Sequence, residues 1–337
     1  MKPFSILLFL SFMVAFMSCN NDLDLTEDGT DVAVIYGAFN PSDSAQYIRV
    51  ERAFIDDATS AYTLAKDIDQ LYFKDIVVEL EIDGAKHILE KVDGNEEGYI
   101  RSAGAFADAP NYLYKIKTSE LGLNNSKKQA VKLTVKKADG STLTEANATT
   151  LFPLAINDVN PPLAGSLLSL PYTANFRVTW YPEEKMPISD VNMIVHFDEI
   201  SASGTVSKQV TWPIKKNITQ ANITGASYSY TANILGRSFY EFMRSNLTAD
   251  PSINRVFKKM NLQIISADDQ LRQYIQIGLA NQGITSSGEI PTYSNLSNGG
   301  RGIFFTMTEF YSADHGLTKP TLDSLSKGIF TRALNFQ

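Results

Sequence analysis

A period-two alternation of apolar and polar residues recurs along this chain and constrains its fold more than any other feature. Val78, Leu80 and Ile82 alternate with Glu79 and Glu81, and similar alternation occurs at residues 48–51, 112–117, 131–136, 176–180 and 260–264. Such alternation is typical of β-strands with one buried and one solvated face. The sequence therefore predicts a mainly β protein.

Turn signals divide the first half into short strands. Asp83-Gly84 and Asp139-Gly140 stand where tight hairpins need residues with positive φ. Several antiparallel strands with turns between them, over residues 32–152, favour an N-terminal Ig-like β-sandwich domain. A helical insertion is predicted at residues 59–73, where apolar residues recur at helical spacing.

Five prolines and glycines interrupt the chain between residues 152 and 171 and discourage regular structure there. We therefore predict a linker at residues 153–171, followed by a second β-rich domain at 172–337 that is decorated with two or three helices. Helical spacing of apolar residues predicts helices at 232–247 and 268–280. Residues 301–310 are predicted to be the last major strand.

The N-terminus has the layout of a bacterial lipoprotein signal. Lys2 precedes an apolar run at residues 4–17, and the only cysteine, Cys19, follows the small residue Ser18. A run of 14 residues is too short to span a bilayer, which needs about 20. We predict a signal peptide at residues 1–18 and acyl chains on Cys19; an ordinary cleaved signal is the alternative. Residues 19–31 are predicted to be an acidic tether.

The remaining composition excludes several classes of protein. The formal net charge is −7 and the longest basic clusters are pairs, which argues against nucleic-acid binding. With Cys19 acylated, the chain has no thiol for a disulfide, a cysteine–zinc site or a cysteine nucleophile. Charged residues make up 20% of the chain and hydrophobic residues 44%, which is typical of a globular protein that can bury a core.

The histidines and carboxylates give no catalytic or metal-binding motif. His87 and His196 fall in predicted strands and His315 falls in a predicted loop at residues 312–316, without the spacing of a zinc site. Asp198 and Glu199 are the best glycosidase candidates, but neighbours in a strand point to opposite faces. No G-x-S-x-G elbow occurs. We predict no catalytic residues, no metal ligands and no cofactor, and hence no enzyme.

Two further patterns leave alternatives open. Trp180 and Trp212 have similar neighbours, which suggests adjacent strands with stacked indoles; core packing is favoured over an open surface for a sugar ring. The glycine-rich stretch at residues 297–302 lacks the G-K-[ST] ending of a phosphate loop. It predicts a tight surface turn that leads into a strand.

Several segments together resemble an uncharacterised Bacteroidota outer-membrane lipoprotein family often encoded beside TonB-dependent receptors. They are Cys19, the first strand at residues 32–39, the strands at 114–117 and 131–135, residues 239–242, and the stretch 293–304. In that family a similar Ser-Asn-Ile-x-x-Gly-x-Gly-x-Phe stretch precedes the final strand, with an apolar residue commoner at the position of Arg301. The acidic residues after Cys19 also resemble the surface-export signal of Bacteroidota lipoproteins.

The resemblance implies a non-catalytic accessory or binding protein, anchored in the outer membrane by Cys19 and facing outward rather than toward the periplasm. Its expected partners are a TonB-dependent receptor or a sister lipoprotein. We expect Asn295, Asn298 and Arg301 to be candidates for docking that partner, with Arg301 as a forked donor to a carboxylate. A fimbrial or adhesin subunit and a surface glycan-binding protein or glycosidase remain as alternatives.

Overall fold

The protein is described from a computed structural model, which covers residues 32–53, 59–154, 156–160, 165–224, 227–280 and 292–337. The predicted signal peptide, Cys19 and the acidic tether lie outside these residues. Strands account for 49% of the structure and helices for 17%. The chain is therefore mainly β, with several sheets and few helices, as the alternation predicts.

The described residues form seventeen strands and five α-helices in chain order. The strands are β1 (Ala33–Phe39), β2 (Ala45–Arg52), β3 (Ile76–Ile82), β4 (Ala85–Ile88), β5 (Glu90–Asp93), β6 (Tyr112–Lys117), β7 (Ala130–Lys137), β8 (Thr142–Thr149), β9 (Ile156–Asn160), β10 (Leu167–Leu168), β11 (Asn175–Pro182), β12 (Ile188–Ser201), β13 (Gly204–Ile218), β14 (Asn222–Thr224), β15 (Ser227–Leu235), β16 (Asn254–Ala267) and β17 (Arg301–Leu317). The helices are α1 (Ala61–Lys66), α2 (Ile68–Leu71), α3 (Arg237–Asn246), α4 (Asp269–Ala280) and α5 (Lys319–Lys327), with single 3₁₀ turns at Thr118–Glu120 and Arg332–Leu334.

The strands form one long sheet and two short ones. The long sheet has the order β13-β12-β16-β17-β1-β2-β6-β5, with β10 pairing to the end of β17. The short sheets have the orders β4-β3-β7-β8 and β14-β15-β11-β9. The first short sheet belongs to the N-terminal half of the chain and the second to the C-terminal half.

The N-terminal half is a β-sandwich. The sheet β4-β3-β7-β8 packs against β1, β2 and β6 of the long sheet, with apolar side chains between them. Val78, Leu80 and Ile82 are buried, as their alternation predicts. Both predicted hairpins are present: β3 turns into β4 at Asp83 and Gly84, which have φ values of 47° and 92°, and β7 turns into β8 at Gly140.

The C-terminal half buries a second apolar core between β12, β13 and β16 of the long sheet and the sheet β14-β15-β11-β9, with α3 and α5 packed against it. Helix α3 begins at Arg237, not at residue 232 as predicted, because residues 230–235 pair with β11 instead. The predicted helix at 268–280 begins one residue later, with Asp268 as its cap. Three helices (α3, α4 and α5) decorate this half.

Strand β17 joins the two halves. Its first residues run parallel to β1, with Arg301 opposite Val34 and Thr306 opposite Phe39. Its later residues pair with β16 as far as His315. The strand extends seven residues beyond the predicted end at residue 310, so His315 lies in a strand and the predicted loop at 312–316 is wrong. Pairing with β16 and β10 supplies the hydrogen bonds that keep this stretch extended.

The predicted linker contains regular structure despite its prolines. Strand β9 pairs with β11 and β10 pairs with β17, so the expectation that residues 153–171 are irregular is wrong for these strands. The two apolar cores draw on residues 33–148 and 154–336, except that Phe304 and Leu296 belong to the first core. The division into two domains stays a prediction.

The predicted helical insertion at residues 59–73 consists of the short helices α1 and α2. Asp67 separates them in an extended conformation and caps α2 by accepting a hydrogen bond from Asp69 N at 2.9 Å. Leu71 and Tyr72 are buried against Ala107, which fixes the insertion to the loop before β6. Helical spacing of apolar residues therefore predicts the insertion correctly.

Candidate functional site

The glycine-rich stretch before β17 folds as a tight turn at the protein surface, as predicted. Asn298 and Gly299 have φ values of 51° and 72°, and Gly300 N donates to Ser297 O at 3.0 Å. Two consecutive residues with positive φ are the mark of a type I′ turn, which Asn-Gly favours. Ser297 attaches the turn to β8, since its N donates to Glu145 O at 2.8 Å.

The amides of two predicted docking residues are used inside this turn. Asn295 Nδ2 donates to Phe304 O at 2.6 Å, and Phe304 N donates back to Asn295 Oδ1 at 3.0 Å. Asn298 Nδ2 donates to Leu143 O at 3.4 Å. These side chains therefore hold the turn against β17 and the N-terminal sandwich.

Arg301 is placed differently from the two asparagines. It is exposed at the start of β17 and forms no ion pair with any residue in the described ranges. Its neighbour Gly302 has φ +97°, and a Cβ there would lie 2.0 Å from Ile35 O. Only glycine allows β17 to approach β1 this closely, so Gly302 fixes the position from which Arg301 extends.

Arg301 borders a groove of about 500 Å³ that lies between the paired strands β1 and β17 on one side and α4 on the other. We call it the Tyr–Arg groove and define it by six of its lining residues: Tyr36, Tyr274, Ile277, Gly278, Tyr293 and Arg301. Its described lining contains one cationic side chain and no carboxylate. A concave site of this volume with aromatic walls and few polar groups is typical of small-ligand sites.

The wall formed by α4 is held in place by Asp268. Its carboxylate caps the helix by accepting from Gln270 N at 3.1 Å and Leu271 N at 3.2 Å. It also accepts from Thr306 N at 3.0 Å, while Thr306 Oγ1 lies 2.6 Å from Thr149 O. Asp268 thus links α4 to β17 and, through Thr306, to the N-terminal sandwich.

Two tyrosines of the groove, Tyr36 and Tyr293, remain protonated near neutral pH. Burial, the neighbouring Tyr274 phenol and the charge of Glu51 raise the pKa of Tyr36 above its ordinary value of 10.0. Burial and then the charges of Asp268 and Asp269 raise the pKa of Tyr293. The Tyr293 hydroxyl donates to Gln270 Oε1, so it offers a ligand its lone pairs as an acceptor.

Arg49, opposite Tyr36 in β2, and Arg101 have an acidic partner, whereas Arg301 has none among the described residues. Arg49 Nη1 and Arg101 Nη1 lie 3.1 Å and 2.8 Å from the same oxygen, Glu51 Oε1. Arg49 Nη1 also donates to Asn111 Oδ1 at 2.7 Å. The two guanidinium groups share a single carboxylate, and Arg301 is the cation in the described lining of the groove itself.

The tryptophans lie in the second core, as the favoured interpretation predicts, but not on paired strands. Trp180 stacks on Tyr230 with ring centroids 5.4 Å apart, and Trp212 stacks on Phe176 at 6.4 Å. Both indoles are buried, at 0% and 2% exposure. They do not stack on each other, and neither offers a face to a sugar.

His315 is completely buried, and both of its ring nitrogens have hydroxyl partners. Nδ1 lies 2.9 Å from Ser166 Oγ and Nε2 lies 3.0 Å from Ser312 Oγ. Burial lowers the pKa of the ring below its ordinary value of 6.5. The two serines hold the ring in the core.

Asp198 and Glu199 make contacts at different places, as their positions in β12 predict. Asp198 Oδ1 accepts from Ser207 Oγ at 2.8 Å. Glu199 Oε1 accepts from the buried Arg255 at 2.7 Å and 2.9 Å. Each carboxylate is committed to a structural partner. Among the described residues, no group of three His, Cys, Asp or Glu side chains is arranged to hold a metal ion.

Two other clefts each contain an ion pair. A cleft of about 300 Å³ lies between the halves, where Lys128 Nζ contacts Glu184 Oε2 at 2.5 Å. A cleft of about 320 Å³ beside α3 contains the Arg255–Glu199 ion pair. Lys185 in the first cleft and Lys208 in the second are exposed and form no ion pair among the described residues, so what distinguishes the Tyr–Arg groove is an exposed cation beside three tyrosines.

Sequence reasoning identified Arg301 but missed the rest of the groove. Tyr36, Tyr274 and Tyr293 lie in β1, in α4 and in the segment before the turn, and only the parallel pairing of β1 with β17 brings them together. Strand β1 alternates between buried and exposed residues, and Tyr36 is a large aromatic residue on its exposed side. This is the one local signal that Tyr36 could belong to a binding site.

Comparisons with known proteins add little to this description. No family model matches the chain, and no curated protein matches it. Among solved structures the chain is similar to "Crystal structure of CBD12 from CALX1.2", with 9% identity over 83% of this chain and 100% of that chain and a TM-score of 0.18. A likeness this weak supports no inference about function. In the part of the chain described, no helix is long and apolar enough to cross a membrane.

Proposed function

We propose that this protein is a non-catalytic binding protein, anchored by acyl chains on Cys19 to the outer face of an outer membrane, where it assists a TonB-dependent receptor. The anchoring is inferred from the apolar run at residues 4–17 followed by Cys19. Several acyl chains on one residue hold a protein firmly, because each buried CH₂ contributes about 0.8 kcal/mol. The receptor partner is inferred from the family resemblance of residues 293–304.

The observation that carries the binding role is that Arg301, at the border of the Tyr–Arg groove, forms no ion pair with any described residue. A guanidinium exposed beside aromatic rings, with no carboxylate in the described lining, is suited to a ligand and contributes little to folding. The other charged side chains considered as sites, Asp198 and Glu199, are already paired.

The alternative of a fimbrial subunit requires an edge strand that can be exchanged between molecules. In the described structure β13 lies at one edge of the long sheet. It carries Pro213 together with Lys208, Lys215 and Lys216, which are residues that protect a free edge from further pairing. This composition disfavours strand exchange at β13.

Membrane fractionation tests the anchor. We expect Cys19→Ala to abolish incorporation of labelled fatty acid and to release the protein from the membrane fraction. Ser18→Ala is the matched control, since it keeps a small residue before the cysteine and leaves acylation intact. Retention of the Cys19→Ala protein in washed membranes would contradict the proposal.

Co-purification tests the partner. Affinity purification of the tagged full-length protein from outer membranes in mild detergent should recover a TonB-dependent receptor at a constant ratio. Recovery of fimbrial subunits instead would favour the structural alternative.

A further inference from the structure

The backbone beneath the Tyr–Arg groove restricts how a ligand can be recognised. Strand β1 is paired on both sides, with β17 and with β2. Strand β17 is paired with β1 along its first six residues, and on its other side Asn295 bonds to Phe304 and Asp268 to Thr306. An extended peptide binds most readily by adding a strand to an unpaired edge, and β1 offers no such edge. Recognition in this groove therefore depends on side chains.

The side chains of the groove are suited to a ring that carries hydroxyl groups. Tyr36, Tyr274 and Tyr293 all line the groove and supply three aromatic rings and three phenol oxygens. Aromatic faces pack against the C–H faces of a sugar ring, while phenols donate to and accept from its hydroxyls. Tyr36 is 46% exposed, so its ring is accessible.

The charge of the groove selects among such rings. Arg301 is its cation, and its described lining contains no carboxylate. A guanidinium presents a planar fork that matches the two oxygens of a carboxylate. Because Arg301 has no ion-pair partner in the described ranges, no internal ion pair has to be broken when a ligand anion binds.

We propose that the Tyr–Arg groove binds an acidic saccharide, a short chain of uronic acids whose carboxylate pairs with Arg301 and whose rings lie against Tyr36 and Tyr274. This inference rests on the proposed binding function and names its ligand class. A volume of about 500 Å³ lies within the range of small-ligand sites and is suited to two or three sugar units at most.

Calorimetric titration of the full-length acylated protein in detergent tests the proposal. The probes are trimers of galacturonate, glucuronate and mannuronate, the methyl ester of the galacturonate trimer, and a tetraglutamate peptide. At least one uronate trimer should bind, and Arg301→Gln should weaken it about tenfold or more, because the loss of a charge-assisted bidentate contact has that size. The methyl ester should bind the wild type as weakly as the acid binds the variant.

Three further variants test whether the loss of affinity is specific to the Arg301 guanidinium and to the groove. Arg301→Lys keeps the charge without the fork and should recover only part of the affinity. Arg332→Gln removes another exposed arginine outside the groove and should leave the affinity unchanged. Gly278→Leu places a side chain where a Cβ meets no atom within 4 Å, and should block binding while Arg301 stays intact.

Several outcomes would overturn the proposal. They are no binding of any uronate trimer, equal binding of the ester and the acid, equal binding of tetraglutamate, or unchanged binding in Gly278→Leu. If Arg301→Gln abolished co-purification of the receptor but left uronate binding unchanged, the Arg301 guanidinium would bind a protein partner and not a saccharide. The titration requires neither the membrane nor the receptor, so its failure is distinguishable from a failure of the anchoring or co-purification experiments.

Discussion

Arg255 and Arg301 stand near the beginnings of two long strands of the same sheet, β16 and β17, yet their surroundings are opposite. Arg255 is 2% exposed, pairs with Glu199 at 2.7 Å and donates to Leu334 O and Thr248 O. Arg301 is exposed and has no ion pair among the described residues. One arginine holds the C-terminal residues in place, and the other is available to a ligand.

The aromatic residues of the two regions differ in the same way. Trp180 and Trp212 stack on other rings inside the second core, and each is almost completely buried. Tyr36, Tyr274 and Tyr293 line a groove. The comparison teaches that aromatic content alone does not identify a binding surface; the decisive observation is which rings and charges lack a partner inside the protein.

The largest effect is expected in the core. Trp180→Ala should lower the free energy of unfolding by about 4 kcal/mol, because it removes a buried ring and leaves a cavity against Tyr230. Trp180→Phe should cost less, since the buried Nε1 has no hydrogen-bond partner to lose. Chemical denaturation measures both. An alanine variant as stable as the wild type would show that the comparison between core and groove is wrong.

The buried ion pair should have the next largest effect. Glu199→Ala should cost about 3 kcal/mol, because it leaves the Arg255 guanidinium buried without its counter-charge. By contrast, Arg301→Gln should change the free energy of unfolding by less than about 0.5 kcal/mol, as for an ordinary surface residue. Equal losses from the two substitutions, measured by urea denaturation, would remove the distinction between the arginines.

His315 should make the core sensitive to acid. Burial lowers the pKa of this ring below 6.5, so the folded state binds fewer protons than the unfolded state. Its contribution to stability is therefore complete above pH 6.5 and is lost as the pH falls through the folded-state pKa. His315→Gln should flatten the slope of unfolding free energy against pH by up to about 1.4 kcal/mol per unit. An unchanged slope would show that His315 does not titrate on unfolding.

The smallest effect sharpens the description of the groove. Gly278→Ala should stabilise the protein by about 0.5 kcal/mol, because alanine favours helix α4 and its Cβ meets nothing within 4 Å. Gly302→Ala should instead destabilise it, since that Cβ would lie 2.0 Å from Ile35 O. Thermal unfolding of the two variants measures both changes in stability. A Gly302→Ala protein as stable as the wild type would contradict the close contact of β1 with β17.

Local patterns predicted most of the strands and little of the site. Val78, Leu80 and Ile82 reveal their strand because burial of one face requires period two. The start of α3 was misplaced because pairing with β11 holds residues 230–235 extended, which local helical spacing does not reveal. His315 was misplaced for the same reason, since pairing with β16 extends β17.

The candidate site shows the same limit more strongly. Arg301 was predicted as a candidate docking residue because it lies in the stretch 293–304 that resembles a known family. The hydrogen bonds that Asn295 and Asn298 make inside the turn depend on Phe304 and Leu143 and were not predicted. The groove itself depends on the parallel pairing of the first strand with the last, across more than 260 residues. No local pattern carries that information.

Thermal unfolding with and without a uronate trimer tests the central claim, that Arg301 serves a ligand and not the fold. A ligand that binds only the folded state raises the melting temperature with its concentration. We predict that wild type and Arg301→Gln melt within about 2 °C of each other without ligand, and that saturating trimer raises the melting temperature of the wild type alone. Equal shifts in both proteins, or an Arg301→Gln protein that melts well below the wild type without ligand, would contradict the account.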